Sequence, residues 1–526
     1  MKDIDGNDVP GGSTLEADLC IIGGGAAGIA IATRFINTHK KILLIESGSH
    51  SYSDKTQSLY EFTNSGHPVR AQQGYISRNR YLGGSTNTWH GGCAPLAAID
   101  FEERPWIANS GWPINSDELE PHYREAAGFL KLPEYDYFRN RKWLNYIKNS
   151  PANFLDDAVL EPEILLFANK PLNARVAYAG AIARSSNVQI LLNSNVSNLE
   201  TDNNASSVQR VHVCTLGGNR YFVKAGRYIL ACGGWENARL LLLSNRTQAT
   251  GLGNYYDNVG RYYNEHPKII FGEIIPRDKS LLSPIMIWKR RISHKGYMRV
   301  SMRLSPQLQK EHRLLNHYIQ PIYPQSFREA ISHSDAFIKK FNFSKDTIHR
   351  LAKLSSSLLQ YSDAFERIIF NMPLRFDTLG VVSHFEQIPN RESRVSLSMD
   401  RDMLGLNKLD VRLVVSSEEK ENMIRYHRVF NDILVRNNLG RLEGRFADPS
   451  LPWDGLTDSS HHIGTTRMSN DPKSGVVNKN CMVHGVDNLY IASSSVFPTG
   501  GHINPTLSIV AIAMRLASHL KDKMQT

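Results

Sequence analysis

The sequence predicts an α/β protein built around a Rossmann-like nucleotide-binding domain. Three observations carry the prediction: a glycine-rich turn between an apolar strand-type run and a helical pattern, a second apolar run ending on a carboxylate, and ordinary globular composition. Of 526 residues, 41% are apolar and 21% charged, which excludes disorder as the main state. A chain of this length buries a large core without covalent staples.

The first strand is read from Ala17-Asp18-Leu19-Cys20-Ile21-Ile22, which runs directly into Gly23-Gly24-Gly25-Ala26-Ala27-Gly28, a G-x-G-x-x-G turn. Helical spacing follows through Ile29, Ile31, Ala32 and Phe35, and the second strand is Ile42-Leu43-Leu44-Ile45, ending at Glu46. Together these form a βαβ opening. Gly23 permits the tight turn, Gly25 lets the backbone approach a pyrophosphate, and Gly28 lets helix and strand pack closely. The helix N-terminus offers free N–H groups to phosphates. Glu46 stands 18 residues beyond Gly28, where a carboxylate accepts from ribose hydroxyls. The unit serves NAD and FAD equally, so it does not choose between them.

The five cysteines are odd in number and include no C-x-x-C pair, which argues against a disulfide framework or a structural zinc site and fits a reducing compartment. No metal site is expected. The first residues lack the basic and apolar regions of a secretory signal, and the apolar run Leu19 to Phe35 is interrupted by glycines and Arg34. The expectation is a cytoplasmic protein with no transmembrane segment. The net charge of +10 is spread along the chain without a nucleic-acid motif, so no nucleic-acid partner is expected.

Three further segments bear on the ligand. Residues 82–96 are a Gly/Ser/Thr/Asn stretch able to pass a flat ring at close backbone range. Residues 228–242 give a strand, a small-residue turn and a helix opening at Glu236-Asn237. Residues 461–510 run from His461-His462 to Asn504-Pro505-Thr506 and lead into a helical tail. With Gly83-Gly84-Ser85-Thr86-x-x-Trp89, Ala231-x-Gly233-Gly234-x-x-Asn237-x-Arg239, Gly260-Arg261, His266-Pro267 and Gly464-Thr465-x-Arg467-Met468, the chain resembles the glucose–methanol–choline (GMC) oxidoreductases. These are FAD enzymes that oxidise alcohols, and the closest resemblance is to the branch of pyranose 2-oxidase and the sugar and gluconate dehydrogenases.

The resemblance implies an α+β organisation overall. An FAD domain would draw on 1–100, 175–265 and 455–526, and a substrate domain with an antiparallel sheet on 101–174 and 266–454. Strand-like runs at Val381–Phe385, Arg394–Met399 and Lys408–Val415 are expected in that sheet. The implied cofactor contacts are Gly23, Gly25, Gly28, Glu46, Gly83, Gly84, Ser85, Asn87, Thr88, Val196, Ala231, Asn237, Asn504, Pro505 and Thr506.

Alcohol oxidation needs a base for the hydroxyl proton and an acceptor for the hydride, and no natural side chain accepts hydride. Counting back from Gly464-Thr465 places His461 on the family's catalytic histidine, with His462 the alternative. In an extended segment the two side chains point in opposite directions. Asn504 falls on the second catalytic position, where its amide would donate to the substrate oxygen and set the carbinol hydrogen over flavin N5. Asn504-Pro505 also reads as a helix cap followed by a first-turn proline. His502 and His462 are further candidates for the substrate pocket. In pyranose 2-oxidase the position aligned with Thr88 is a histidine bonded covalently to the flavin. Thr88 cannot form that bond and His90 lies two residues on, so non-covalent FAD is expected, with a link through His90 as the alternative.

The implied substrate is an alcohol on a sugar, glycoside or sugar-like cyclitol, with oxygen, a quinone or a carrier protein as electron acceptor. The competing reading is a flavin-dependent lyase of the hydroxynitrile-lyase type, without net redox change. Residues 324–370 carry helical spacing expected to close the substrate domain, with a lid over its pocket, a subunit contact or a membrane-surface face as the alternatives. Lys289-Arg290-Arg291 is a short basic cluster, expected to be a solvated face or an attractor for an acidic substrate or redox partner.

Overall fold

Along Thr14–Ile22 exposure alternates as far as Asp18, and the last four residues are fully buried, as expected of a strand that starts at a rim and ends in the middle of a covered sheet. In the computed structural model, which describes residues 3–67, 77–138, 159–280, 290–324, 375–444 and 455–525, this strand is central. Ile42–Ile45 pairs with it in parallel on one side, with Val188–Leu192 beyond, and Arg220–Leu230 pairs in parallel on the other. Arg220–Leu230 is long enough to serve two more partners. Its first half pairs antiparallel with Val208–Cys214, which in turn pairs with Asn195–Thr201, and its last three residues pair in parallel with Leu489–Ile491. The helix Ala26–Arg34 follows the first strand, and the C-terminal helix Thr506–Gln525 packs on it.

A second sheet of eight strands is antiparallel throughout. Its order is Gly440–Gly444, Lys268–Pro276, Leu379–Phe385, His317–Ile322, Gly296–Leu304, Leu160–Ala168 and Gly92–Cys93, with Arg290–Ser293 pairing with Gly296–Leu304. Helix Ser417–Arg436 covers one face. It starts at a capping box between Ser416 and Glu419, and it buries Tyr426, Phe430, Ile433 and Leu434 in the same cluster as Met302, Ile319 and Val381.

Two of the strands expected in this sheet lie elsewhere. Arg394–Arg401 and Asn407–Arg412 form a separate three-stranded sheet with Phe62–Asn64, next to the helix Gly233–Leu243. Arg239 of that helix draws the hairpin in by donating to the Asn407 carbonyl and to Asp402. Period-two patterning marks a strand but does not name its partner. Conversely Gly92–Cys93, within the segment assigned to the nucleotide domain, pairs with the second sheet. The helical spacing read in 324–370 falls outside the described residues from 325 onward, as does Lys289.

Arg104 and Glu386 tie the segment before helix Ser116–Phe129 to the end of strand Leu379–Phe385. Two parallel hydrogen bonds of 2.8 and 2.5 Å join them, and neither side chain has measurable exposure. The Asn316 backbone N–H also donates to Glu386, and the Asn316 amide donates to Asp100. Removing one member of such a pair leaves an uncompensated buried charge. Arg104→Met should therefore cost about 3–5 kcal/mol in a denaturant titration, whereas an exposed pair such as Arg441–Glu443 should cost less than about 1 kcal/mol.

Candidate active site

The carboxyl ends of Thr14–Ile22, Ile42–Ile45 and Arg220–Leu230 open into one cavity of about 950 Å³. The turn that leaves the first strand forms its floor. Gly23 adopts φ +110°, and a Cβ at Gly28 would lie 1.9 Å from the Gly23 carbonyl, so helix and turn touch backbone to backbone. Gly25 is the N-cap of helix Ala26–Arg34 and makes no side-chain cap, which leaves first-turn N–H groups without an intrahelical partner. Opposite it stands Gly84 at φ +52°, where a Cβ would come within 2.9 Å of the Gly25 Cα. The Glu46 carboxylate is buried and held by the N–H groups of Gly24 and Gly48, both at 2.9 Å, while still lining the cavity. Free helix N–H groups, a side-chain-free approach and a fixed acceptor are the donor set a dinucleotide's pyrophosphate and ribose require. The residues present therefore fit FAD.

At the other end His461 and Asn504 line the same cavity. The backbone N–H of His461 donates to Glu265 at 2.8 Å, and its ring Nδ1 lies 2.9 Å from Nδ1 of His266. His462 turns the opposite way and stacks on Trp235 with ring centroids 3.8 Å apart, as alternation along an extended segment requires. Burial pushes the His461 imidazole well below its ordinary range, and the neighbouring His266 and Lys268 push in the same direction, so the ring is neutral at pH 7. Burial likewise takes His266 down to about 4. Glu265 behaves oppositely: burial, with Asp458 nearby, raises its carboxyl to about 8.

The amide of Asn504 donates to the Gly92 carbonyl at 3.1 Å instead of capping, and the helix begins at Thr506, one residue later than expected. Its first bond runs from the Ile509 N–H to the Pro505 carbonyl. Gly23, Gly25, Glu46, Gly84, Ser85, Thr88, Val196, Ala231, Pro505 and Thr506 line the cavity, as does His462. Gly28, Gly83, Asn87 and Asn237 lie behind its wall. Asn87 braces the 82–88 turn by donating to the carbonyls of Leu82 and Gly84, and Asn237 donates to the hydroxyls of Ser493 and Ser495. His502 is buried and bonded at 2.8 Å to Glu163 of the second sheet. Thr88 and His90 both face the cavity, with Thr88 accepting from Asn79.

The sequence reading missed Arg78, Arg80, Lys268 and Asp458 on the cavity wall. Arg78 and Arg80 pair with Glu236 at 3.0 and 3.3 Å. Burial alone would raise the Glu236 carboxyl, but the guanidiniums of Arg239, Arg80 and Arg78 outweigh it and hold the group at about 2. The Arg-Asn-Arg run at 78–80 was the available signal, but nothing local shows that its partner lies on a helix more than 150 residues away.

Residues 389–513 match the family model for GMC oxidoreductase. Over 97% of its length the chain is 24% identical to 6'''-hydroxyparomomycin C oxidase of Streptomyces lividus, covering 93% of that protein. It is 22% identical to the fructose dehydrogenase large subunit of Gluconobacter japonicus, over 97% of this chain and 99% of the relative. Formate oxidase of Aspergillus oryzae shares the fold, with a TM-score of 0.58 at 15% identity, covering 98% of this chain and 100% of that one. Among the described residues no helix is long and apolar enough to cross a membrane.

A carboxyl whose folded-state pKa is raised binds a proton that the unfolded chain has already released, so its contribution to stability falls as pH rises between the two values. For Glu265 that window runs from its ordinary value of 4.5 to about 8. Glu265→Gln removes this titration, so the melting temperature of the variant minus that of the wild type should increase steadily from pH 5 to 8 and then level off. A constant difference across that range would show that Glu265 titrates normally.

Proposed function

We propose that this protein is an FAD-dependent oxidoreductase that converts a CH–OH group of a sugar, glycoside or sugar-like cyclitol to C=O, with His461 as base. One observation carries the reading: a neutral histidine and a fixed amide share one cavity with a glycine-and-helix cradle for a dinucleotide. Relatives named for an aminoglycoside alcohol and for fructose support the substrate class.

Gly25, the first turn of helix Ala26–Arg34 and Glu46 would hold the dinucleotide, and Gly84, Ser85 and the Asn504-Pro505-Thr506 turn would hold its ring end. Bound FAD supplies the hydride acceptor that no side chain provides, and an external acceptor (oxygen, a quinone or a carrier protein) then restores it. The chain supplies the rest. His461 takes the hydroxyl proton, and its low affinity for protons in the free site keeps it ready as a base at neutral pH. Asn504 uses one amide N–H on Gly92, which fixes the plane of the group and leaves the second N–H for the substrate oxygen. Lys268, on the same wall, sets a positive charge near the base and opposes its protonation before substrate arrives. The flavin is held without a covalent bond, because Thr88 carries no group able to form one.

Anaerobic addition of sugars, glycosides and cyclitols should bleach the visible flavin band of the purified protein. His461→Ala should retain its flavin and bleach about 10²–10⁴-fold more slowly. A wild-type rate in that variant would put the base elsewhere, and an unbleached band with every alcohol would favour the lyase. Acid precipitation should release the flavin into the supernatant, whereas colour remaining in the pellet would place a covalent link, with His90 the nearest candidate.

A further inference from the structure

The ring of His266 is fixed at both nitrogens. Its Nε2 lies 3.0 Å from the Gly500 carbonyl oxygen, which can only accept, so Nε2 carries the hydrogen. The ring is 1% exposed and packed so closely against Gly500 that a Cβ there would lie 2.9 Å from Nε2. A neutral imidazole has one N–H, which leaves His266 Nδ1 as a lone pair. The atom 2.9 Å from it is Nδ1 of His461, and that nitrogen must therefore donate.

We propose that His266 is a positioning residue: by accepting from Nδ1–H of His461 it holds that imidazole in the tautomer whose Nε2 is an unprotonated base. The proposal rests on the reading of His461 as the base and extends it. Which nitrogen of a histidine carries the proton is set by the bond the other one makes, and here the Gly500 carbonyl decides the state of two rings in series. A substrate hydroxyl proton passes to His461 Nε2, the O–H bond breaking as the N–H bond forms. The imidazolium keeps its Nδ1–H on His266, and that bond strengthens once its donor is charged. His266 itself takes no proton. Glu265 supports the arrangement through one carboxyl oxygen, which receives the backbone N–H of His461 at 2.8 Å and that of His266 at 3.3 Å and so ties the two backbones that carry the rings. Gly500 belongs to the loop that continues to Asn504, so the group that orients the base is attached to the group that orients the substrate.

The test uses holoenzyme labelled with ¹⁵N-histidine, the His461 signals being those lost in His461→Ala. In the wild type they should report a protonated Nδ1 and a bare Nε2, and in His266→Leu the proton should move wholly or partly to Nε2. His266→Leu should keep its flavin and slow alcohol-driven bleaching about 10–100-fold at saturating substrate, with little change in KM. His266→Asn, whose side-chain oxygen can replace the Nδ1 lone pair, should recover most of the rate. His266→Gln, which keeps only a donor toward Gly500, should not. A bare Nδ1 on His461 in the wild type would overturn the proposal even if no variant folds. So would a tautomer and rate unchanged in His266→Leu. The spectrum reads the tautomer whether or not any alcohol bleaches the flavin, so a wrong reaction and a wrong tautomer give different results.

Discussion

The site depends on the carboxyl of Glu265, which joins parts of the chain almost two hundred residues apart. It receives the backbone N–H of His461, that of His266 and the hydroxyl of Tyr263, and it is wholly buried while doing so. Short backbone bridges flank it, Asn264 with Ile463 and Lys268 with Thr457, so the 262–268 and 457–465 segments run side by side. The first of these segments leads into the second sheet at Lys268, and the second leads back toward the nucleotide-binding sheet. Without an acceptor between them, two buried N–H groups would be left unpaired, each at a cost of about 1–3 kcal/mol. The same seam fixes the backbone that carries the His461 ring.

The cavity wall is more apolar than polar, and its charges of both signs nearly balance. Burial holds His461 and His462 neutral, while Arg78 and Arg80 are matched by Glu236. A neutral imidazole offers one donor and one acceptor, which suits hydroxyl groups better than ions do. Charged groups and neutral rings are interleaved: Arg78 lies over the Trp235 ring on which His462 stacks, and Lys268 sets a charge near His461.

The opening strands, turn and helix of the first sheet were legible in the sequence, because their determinants are local. Gly23, Gly25 and Gly28 stand where a turn, a cap and a helix contact require them, and Glu46 ends a strand whose apolar run is unmistakable. His461 and His462 separate as alternation predicts. What could not be read is pairing at a distance. The hairpin Arg394–Arg412 shows its strands but not that Arg239 draws it away from the larger sheet. His502 looks like a loop residue beside the site until Glu163 is seen to hold it. His266 was visible only as part of a His-Pro pair, since its role depends on a carbonyl 234 residues along the chain. Tertiary contacts decide each of these cases, and no local pattern encodes them.

The strand Leu489–Ile491 pairs with Arg220–Leu230 of the first sheet, and helix Thr506–Gln525 packs on the helix that follows the glycine turn. The first and last parts of the chain therefore build the same layer. During synthesis the glycine turn leaves the ribosome early, but its sheet stays incomplete until residue 491 has emerged and its helix stays uncovered until the C-terminal helix arrives. Pairings of such sequence separation form slowly, and they leave strand edges and apolar surface exposed in the meantime. Completion of the first sheet therefore waits on segments made far apart in time.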